Sequence, residues 1–142
     1  METAVLNGLV GGLVATVVMT VAMRAAGGDD LPTAVLWAKY AGTDAPDAYL
    51  PQGMVLHLLY GIGAGAAFAV VLELGGLLAA GVPVVTALGL GYGVLLFGGG
   101  AVFWMKIVLA ITPTRPLIGR FLLVHLIYGA GLGAWLAVGI PF

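Results

Sequence analysis

The chain is 142 residues long, the size of one domain, and it is 62% hydrophobic but only 8% charged. So few charges cannot cover the surface of a soluble domain of this length, and the expected solvent is lipid. A net charge of −1 gives no support for nucleic-acid binding, and the lack of cysteine excludes disulfides, thiolate metal sites and cysteine nucleophiles.

The opening residues Met1-Glu2-Thr3-Ala4 lack the basic start of a cleaved signal peptide, so the first apolar segment is expected to be a retained helix. A membrane-spanning helix needs about 20 mainly apolar residues. Four segments meet that requirement: Val5–Met23, Met54–Leu74, Val84–Trp104 and Phe121–Ile140. The third run stays apolar past Lys106 to Ile111, which predicts a helix that is long, tilted or bent near Gly98-Gly99-Gly100. Glycine within such runs lets helix backbones approach closely.

The connection after the first span is the longest. It opens with Gly27-Gly28-Asp29-Asp30 as a helix stop and turn, followed by Pro32. The stretch Thr33–Tyr40 predicts a short interfacial helix, with Trp37 and Tyr40 at headgroup level. Asp44, Pro46 and Asp47 then turn the chain into the second span. Asp29 and Asp30 form an acidic pair that is read as solvated rather than as a cation site.

Positive charges set the orientation. Arg24 and Lys39 lie between spans one and two, and Lys106, Arg115 and Arg120 between spans three and four. By the positive-inside rule both of these loops are cytoplasmic and both termini lie outside, in the cell membrane.

An internal repeat then appears. His57-Leu58-Leu59-Tyr60-Gly61-Ile62-Gly63-Ala64-Gly65-Ala66 returns 68 residues later as His125–Ala134, with seven of ten positions identical and both of the chain's histidines included. Two helices per copy give both halves the same orientation, so the pseudo-symmetry axis is expected along the membrane normal. The first and third spans fit less closely, with Gly11 and Met23-Arg24 set against Gly93 and Met105-Lys106. The predicted fold is an all-α integral membrane protein of one transmembrane domain, residues 1–142. Its four helices form two parallel-repeat hairpins, about 1–75 and 83–142.

Spacing of i, i+3 and i+4 places His57, Tyr60 and Gly61 on one helix face, and His125, Tyr128 and Gly129 on another. Both histidines are expected about 8 Å inside the cytoplasmic face. Two neutral imidazoles across the pseudo-two-fold axis would supply both axial ligands of a haem b iron, with Gly61 and Gly129 leaving room for the macrocycle. Proton carriage is a second role open to imidazoles. The plainer reading is that each histidine bonds a backbone carbonyl and fixes helix register. No carboxylate adjoins either histidine, so no dedicated metal site is expected.

Other residues read as structural. Glu73 is an exposed helix end, Lys106 snorkels, and Met19 and Met23 pack. Gly89-Leu90-Gly91-Tyr92-Gly93 lies inside a span without a basic neighbour and is not a phosphate loop. The chain contains no serine and no paired intramembrane carboxylates, so an enzyme is not expected and no catalytic residues are assigned.

Several of these features together resemble the YagU-like group of small prokaryotic inner-membrane proteins. They are the glycine-rich first span, Trp37 with the Asp44-Ala45-Pro46-Asp47 turn, the histidine-led second span, Leu109-Ala110-Ile111-Thr112-Pro113, and the closing His125-Leu126-Ile127-Tyr128-Gly129. The resemblance implies a four-helix cell-membrane protein whose activity is not established.

Three functions follow as expectations. The first is a structural or accessory protein that packs through glycine-rich faces with itself, as a homo-oligomer, or with a larger membrane complex. That reading expects an exposed glycine groove and no ligand-sized cavity. The second is a haem b subunit ligated by His57 and His125, with Tyr60, Tyr128, Gly61 and Gly129 around the cofactor. The third is an oligomeric channel or carrier, against which Ala64–Leu72 offers no polar side chain.

Overall fold

The computed structural model describes residues 1–27 and 31–139. Asp29, Asp30 and the predicted end of the last span at Ile140 lie outside these. Among the described residues the regular structure is all helical, without strands. Helix α1 spans Glu2–Ala25, and α2 is the short helix Pro32–Tyr40. A 3-10 turn, Pro46–Tyr49, leads into α3, Leu50–Leu74. After a second such turn, Leu78–Ala80, comes α4, Val82–Gly99, which runs on as a π-helix over Gly100–Val108. Helix α5, Arg115–Val138, ends the described chain.

The punctuation is local chemistry. Pro32, Pro51, Pro83 and Pro116 each stand in the first turn of a helix, where no intrahelical donor is lost and φ is already helical. Thr114 caps α5 by accepting from the Leu117 N–H at 3.4 Å. Gly76 ends α3 and Gly81 precedes α4, both at positive φ, where a side chain would be strained.

Among the described residues four helices are long and apolar enough to cross a membrane: Glu2–Ala25, Pro46–Leu74, Val82–Val108 and Arg115–Val138. At 1.5 Å per residue each exceeds the roughly 30 Å hydrocarbon core. The second and fourth begin several residues before the expected Met54 and Phe121, because prolines start the helices earlier than the apolar runs do. His57 is thus seven residues past the start of α3 and His125 ten past the start of α5. The outward faces carry large apolar side chains such as Val18, Val21, Leu74 and Leu95, which suits a lipid solvent.

Packing runs in an arc. Helix α1 lies against both α3 and α5, and α5 lies against α4, while the backbones of α3 and α4 barely approach one another. The α1–α3 contact is a glycine seam: a Cβ on Gly12 would meet the Gly61 carbonyl at 2.6 Å and the Gly65 Cα at 3.1 Å. In the α4–α5 seam, a Cβ on Gly133 would meet the Val85 carbonyl at 2.7 Å, and Gly89 backs onto Gly129. The partner of Gly12 in this scheme is Gly89. Gly11, set against Gly93 by sequence, instead faces the Trp135 ring on α5, whereas Gly93 meets the His125 carbonyl.

The two ends of the arc differ. Toward the ends of α3 and α5 and the start of α4, Phe68, Leu72, Val85, Leu132 and Leu136 close into a solid core. Toward α2 the helices stand apart and leave a cavity.

Candidate ligand cavity

Each wall of the cavity comes from a different helix. Thr16, Met19 and Met23 of α1, Leu56 to Ala64 of α3, Leu96 to Leu109 of α4, and Leu117 to Tyr128 of α5 contribute side chains. Helix α2 covers the end with Leu31, Thr33 and Leu36. The cavity volume is about 490 Å³, within the range typical of small-molecule sites. The lining is mostly apolar. Its polar groups are the two histidines, Tyr60, Tyr128, Trp104, Thr16, Thr33 and Arg120.

His125 is 6% exposed. Its Nδ1 lies 2.7 Å from the Phe121 carbonyl one turn back. A carbonyl oxygen only accepts, so Nδ1 carries the proton and donates. In the neutral ring, Nε2 is therefore a bare lone pair. The ring is held edge-on by Phe121, with centroids 4.3 Å apart, and approached by Phe97 at 6.5 Å. The helix register thus fixes the tautomer and the aromatic neighbours fix the plane.

His57 also lines the cavity but is differently placed. Its Nε2 is sealed by protein atoms and has no hydrogen-bond partner, as is the Thr33 hydroxyl. The tyrosines diverge as well. Tyr128 is 2% exposed and donates to the Gly61 carbonyl at 2.6 Å, tying α5 to α3. Tyr60 is 41% exposed and meets the Trp104 ring edge-on, with centroids 6.5 Å apart. At the base, Tyr92 stacks on Phe68 at 4.6 Å and donates to the Ala64 carbonyl at 2.9 Å.

The structure therefore brings His57, Tyr60, Gly61, His125 and Tyr128 to one cavity and leaves Gly129 out. The room expected beside the two glycines belongs to neighbouring helices. Gly61 is pressed by the Thr16 side chain of α1, and Gly129 by Gly89 and Gly93 of α4. A macrocycle would have to sit elsewhere in the cavity. Glu73 lies at the opposite end of α3 and plays no part in the site.

Several lining residues were not singled out by sequence. Trp104 and Met105 reach the cavity from the π-helix, whose wider turn begins at the Gly98-Gly99-Gly100 run. Arg120 lines the cavity too, donating from Nη1 to the Gly27 carbonyl at 3.1 Å. Met19 and Met23 line the cavity rather than only filling a core.

Among the described residues no three His, Cys, Asp or Glu side chains gather as they would around a metal ion. No family model, curated protein or solved structure gives a significant match to the chain.

Proposed function

We propose that the chain is a multi-pass cell-membrane protein that binds a small, mainly apolar molecule through the imidazole of His125, within the cavity between its two hairpins. The observation that carries this reading is the bare Nε2 of a buried, tautomer-locked histidine on a ligand-sized apolar cavity. Such an atom accepts a hydrogen bond from a hydroxyl or N–H group, or coordinates a metal, but offers nothing to a carbonyl. The glycine faces, on which an accessory packing role would depend, are largely used up inside the chain in the α1–α3 and α4–α5 seams.

The two hairpins are read as parallel repeats, supported by the matched contacts Gly12–Gly61 and Gly89–Gly129. The basic loops are taken to be cytoplasmic and α2 to lie at that interface. Because the chain has no cysteine, two single substitutions test the orientation. Ala80→Cys should react with an impermeant maleimide on intact cells, and Thr43→Cys only after permeabilisation. The reverse pattern would invert the topology.

Haem b is a second reading of the same site. A histidine with its Nδ1 proton engaged is the usual form of a metal-ligating imidazole, and both histidines share the cavity. Against it, the sealed Nε2 of His57 would require that ring to turn. Native mass spectrometry of the protein released from membranes, with an absorption spectrum before and after dithionite, tests both readings. A bound small molecule present in the parent and lost in His125→Phe supports binding. A Soret band lost in either histidine variant would identify haem. Parent and variant each appearing at the mass of its bare polypeptide would reject the site.

A further inference from the structure

Resting on this binding reading, we infer that the occupant is a bilayer-dissolved single-chain amphiphile with a protic head, admitted sideways between α3 and α4 past the Tyr60–Trp104 contact. Helix α2 covers one end of the cavity. It is fastened to α3 where Ala34 packs against Gly53, a Cβ on which would lie 2.6 Å from the Ala34 nitrogen. It is fastened to α4 where Lys39 Nζ and the Tyr40 hydroxyl both donate to the Val108 carbonyl, at 2.7 and 3.0 Å. Among the described residues the Arg120–Gly27 bond straps the remaining mouth.

The opposite end is shut by the Tyr128–Gly61 and Tyr92–Ala64 hydrogen bonds and the Phe68–Tyr92 stack. The α1–α3 and α4–α5 walls are joined by glycine seams in backbone contact, and α1 packs against α5 as well. Among the described residues, the flank between α3 and α4 is the one where neighbouring long helices have scarcely any backbone packing. There the cavity wall consists of side chains, and two of them, Leu59 and Tyr60, are 60% and 41% exposed. That surface faces hydrocarbon in a spanning helix, so what reaches this flank is already dissolved in the bilayer. A chain passing between the helices lies along leucine, methionine and aromatic side chains, and its hydroxyl or N–H reaches His125 Nε2.

The test uses the full chain in lipid nanodiscs with Trp37→Phe and Trp135→Phe, leaving Trp104 as the single fluorophore. The probe is ω-bromodecanol delivered from vesicles, its bromine quenching Trp104 on contact. Saturable quenching is expected, and it should be lost in His125→Phe. Tyr60→Ala should speed binding and release severalfold, and Leu59→Phe, which narrows the flank, should slow both. Lys39→Ala, which loosens the α2 cover without touching the cavity lining, should leave the rates unchanged. Rates insensitive to Tyr60→Ala and Leu59→Phe but faster in Lys39→Ala would overturn lateral entry while leaving the site intact. Quenching that never saturates, and is the same in His125→Phe, would overturn the site itself.

Discussion

At the scale of single residues, two copies of one sequence motif have acquired different work. His125 gives its Nδ1 proton to the Phe121 carbonyl, while His57 makes no such bond and has its Nε2 sealed in protein. Tyr128 is buried and bridges to Gly61, while Tyr60 is half-exposed beside Trp104. The difference comes from position in the arc, since among the described residues α5 packs on two long helices, α1 and α4, whereas the one long helix packed closely on α3 is α1, with the short α2 at its start. Removing the two hydroxyls should therefore have unequal effects. Tyr128→Phe loses an interhelical hydrogen bond of the kind worth about 0.6 kcal/mol on average within membranes, up to roughly 1.7. Tyr60→Phe should change stability by less. Reversible unfolding in mixed micelles measures both; equal losses would show that the Tyr128–Gly61 bond contributes nothing special.

At the scale of elements, glycine position decides how the helices fit. A Cβ on Gly65 would stand 2.6 Å from the Gly12 Cα, with backbone on both sides and no flexible atom to yield. Gly65→Ala should destabilise the α1–α3 seam by about 1–3 kcal/mol, the cost of overpacking a filled contact. Gly63 and Gly91 have nothing within 4 Å of the same atom. Alanine there should be neutral or stabilising by up to about 1 kcal/mol through helix propensity. Thermal unfolding of the three variants separates these outcomes, and a stable Gly65→Ala would dismiss the seam. These seam glycines were legible in the sequence because the G-x-x-x-G spacing of Gly61–Gly65 and Gly129–Gly133 is itself a contact pattern. The pairing of Gly12 with Gly89 was not, because the loop after α1 is longer than the loop after α4 and hides the register. The early helix starts at Pro51 and Pro116 were missed for a related reason: hydropathy marks the lipid-facing run, whereas proline marks where the backbone begins to coil.

At the scale of the whole molecule, four apolar helices and a short fifth were readable from composition and period, and the cavity was not. An opening between helices depends on how far two elements stand apart, and no single segment encodes that distance. Here α3 and α4 are separated because each packs on a different central helix, and the π-helix beginning at Gly100 carries Trp104 and Met105 into the cavity wall. The sequence contained the ingredients, a triple glycine and a repeated histidine, without stating that they meet. What the arc builds is a chamber solid at one end and roofed by α2 at the other, with one acceptor atom prepared in a mainly apolar lining.

The most direct test of that account is a nitrogen-15 histidine spectrum of the labelled protein in nanodiscs, titrated with decanol and separately with its methyl ether. Only two imidazoles contribute, and a His57→Phe variant assigns them. The account predicts a neutral His125 ring protonated at Nδ1, whose Nε2 resonance shifts as decanol is added and stays put with the ether, which has no proton to donate. A His125 ring protonated at Nε2, or an Nε2 resonance that responds to neither compound or to both alike, would contradict it.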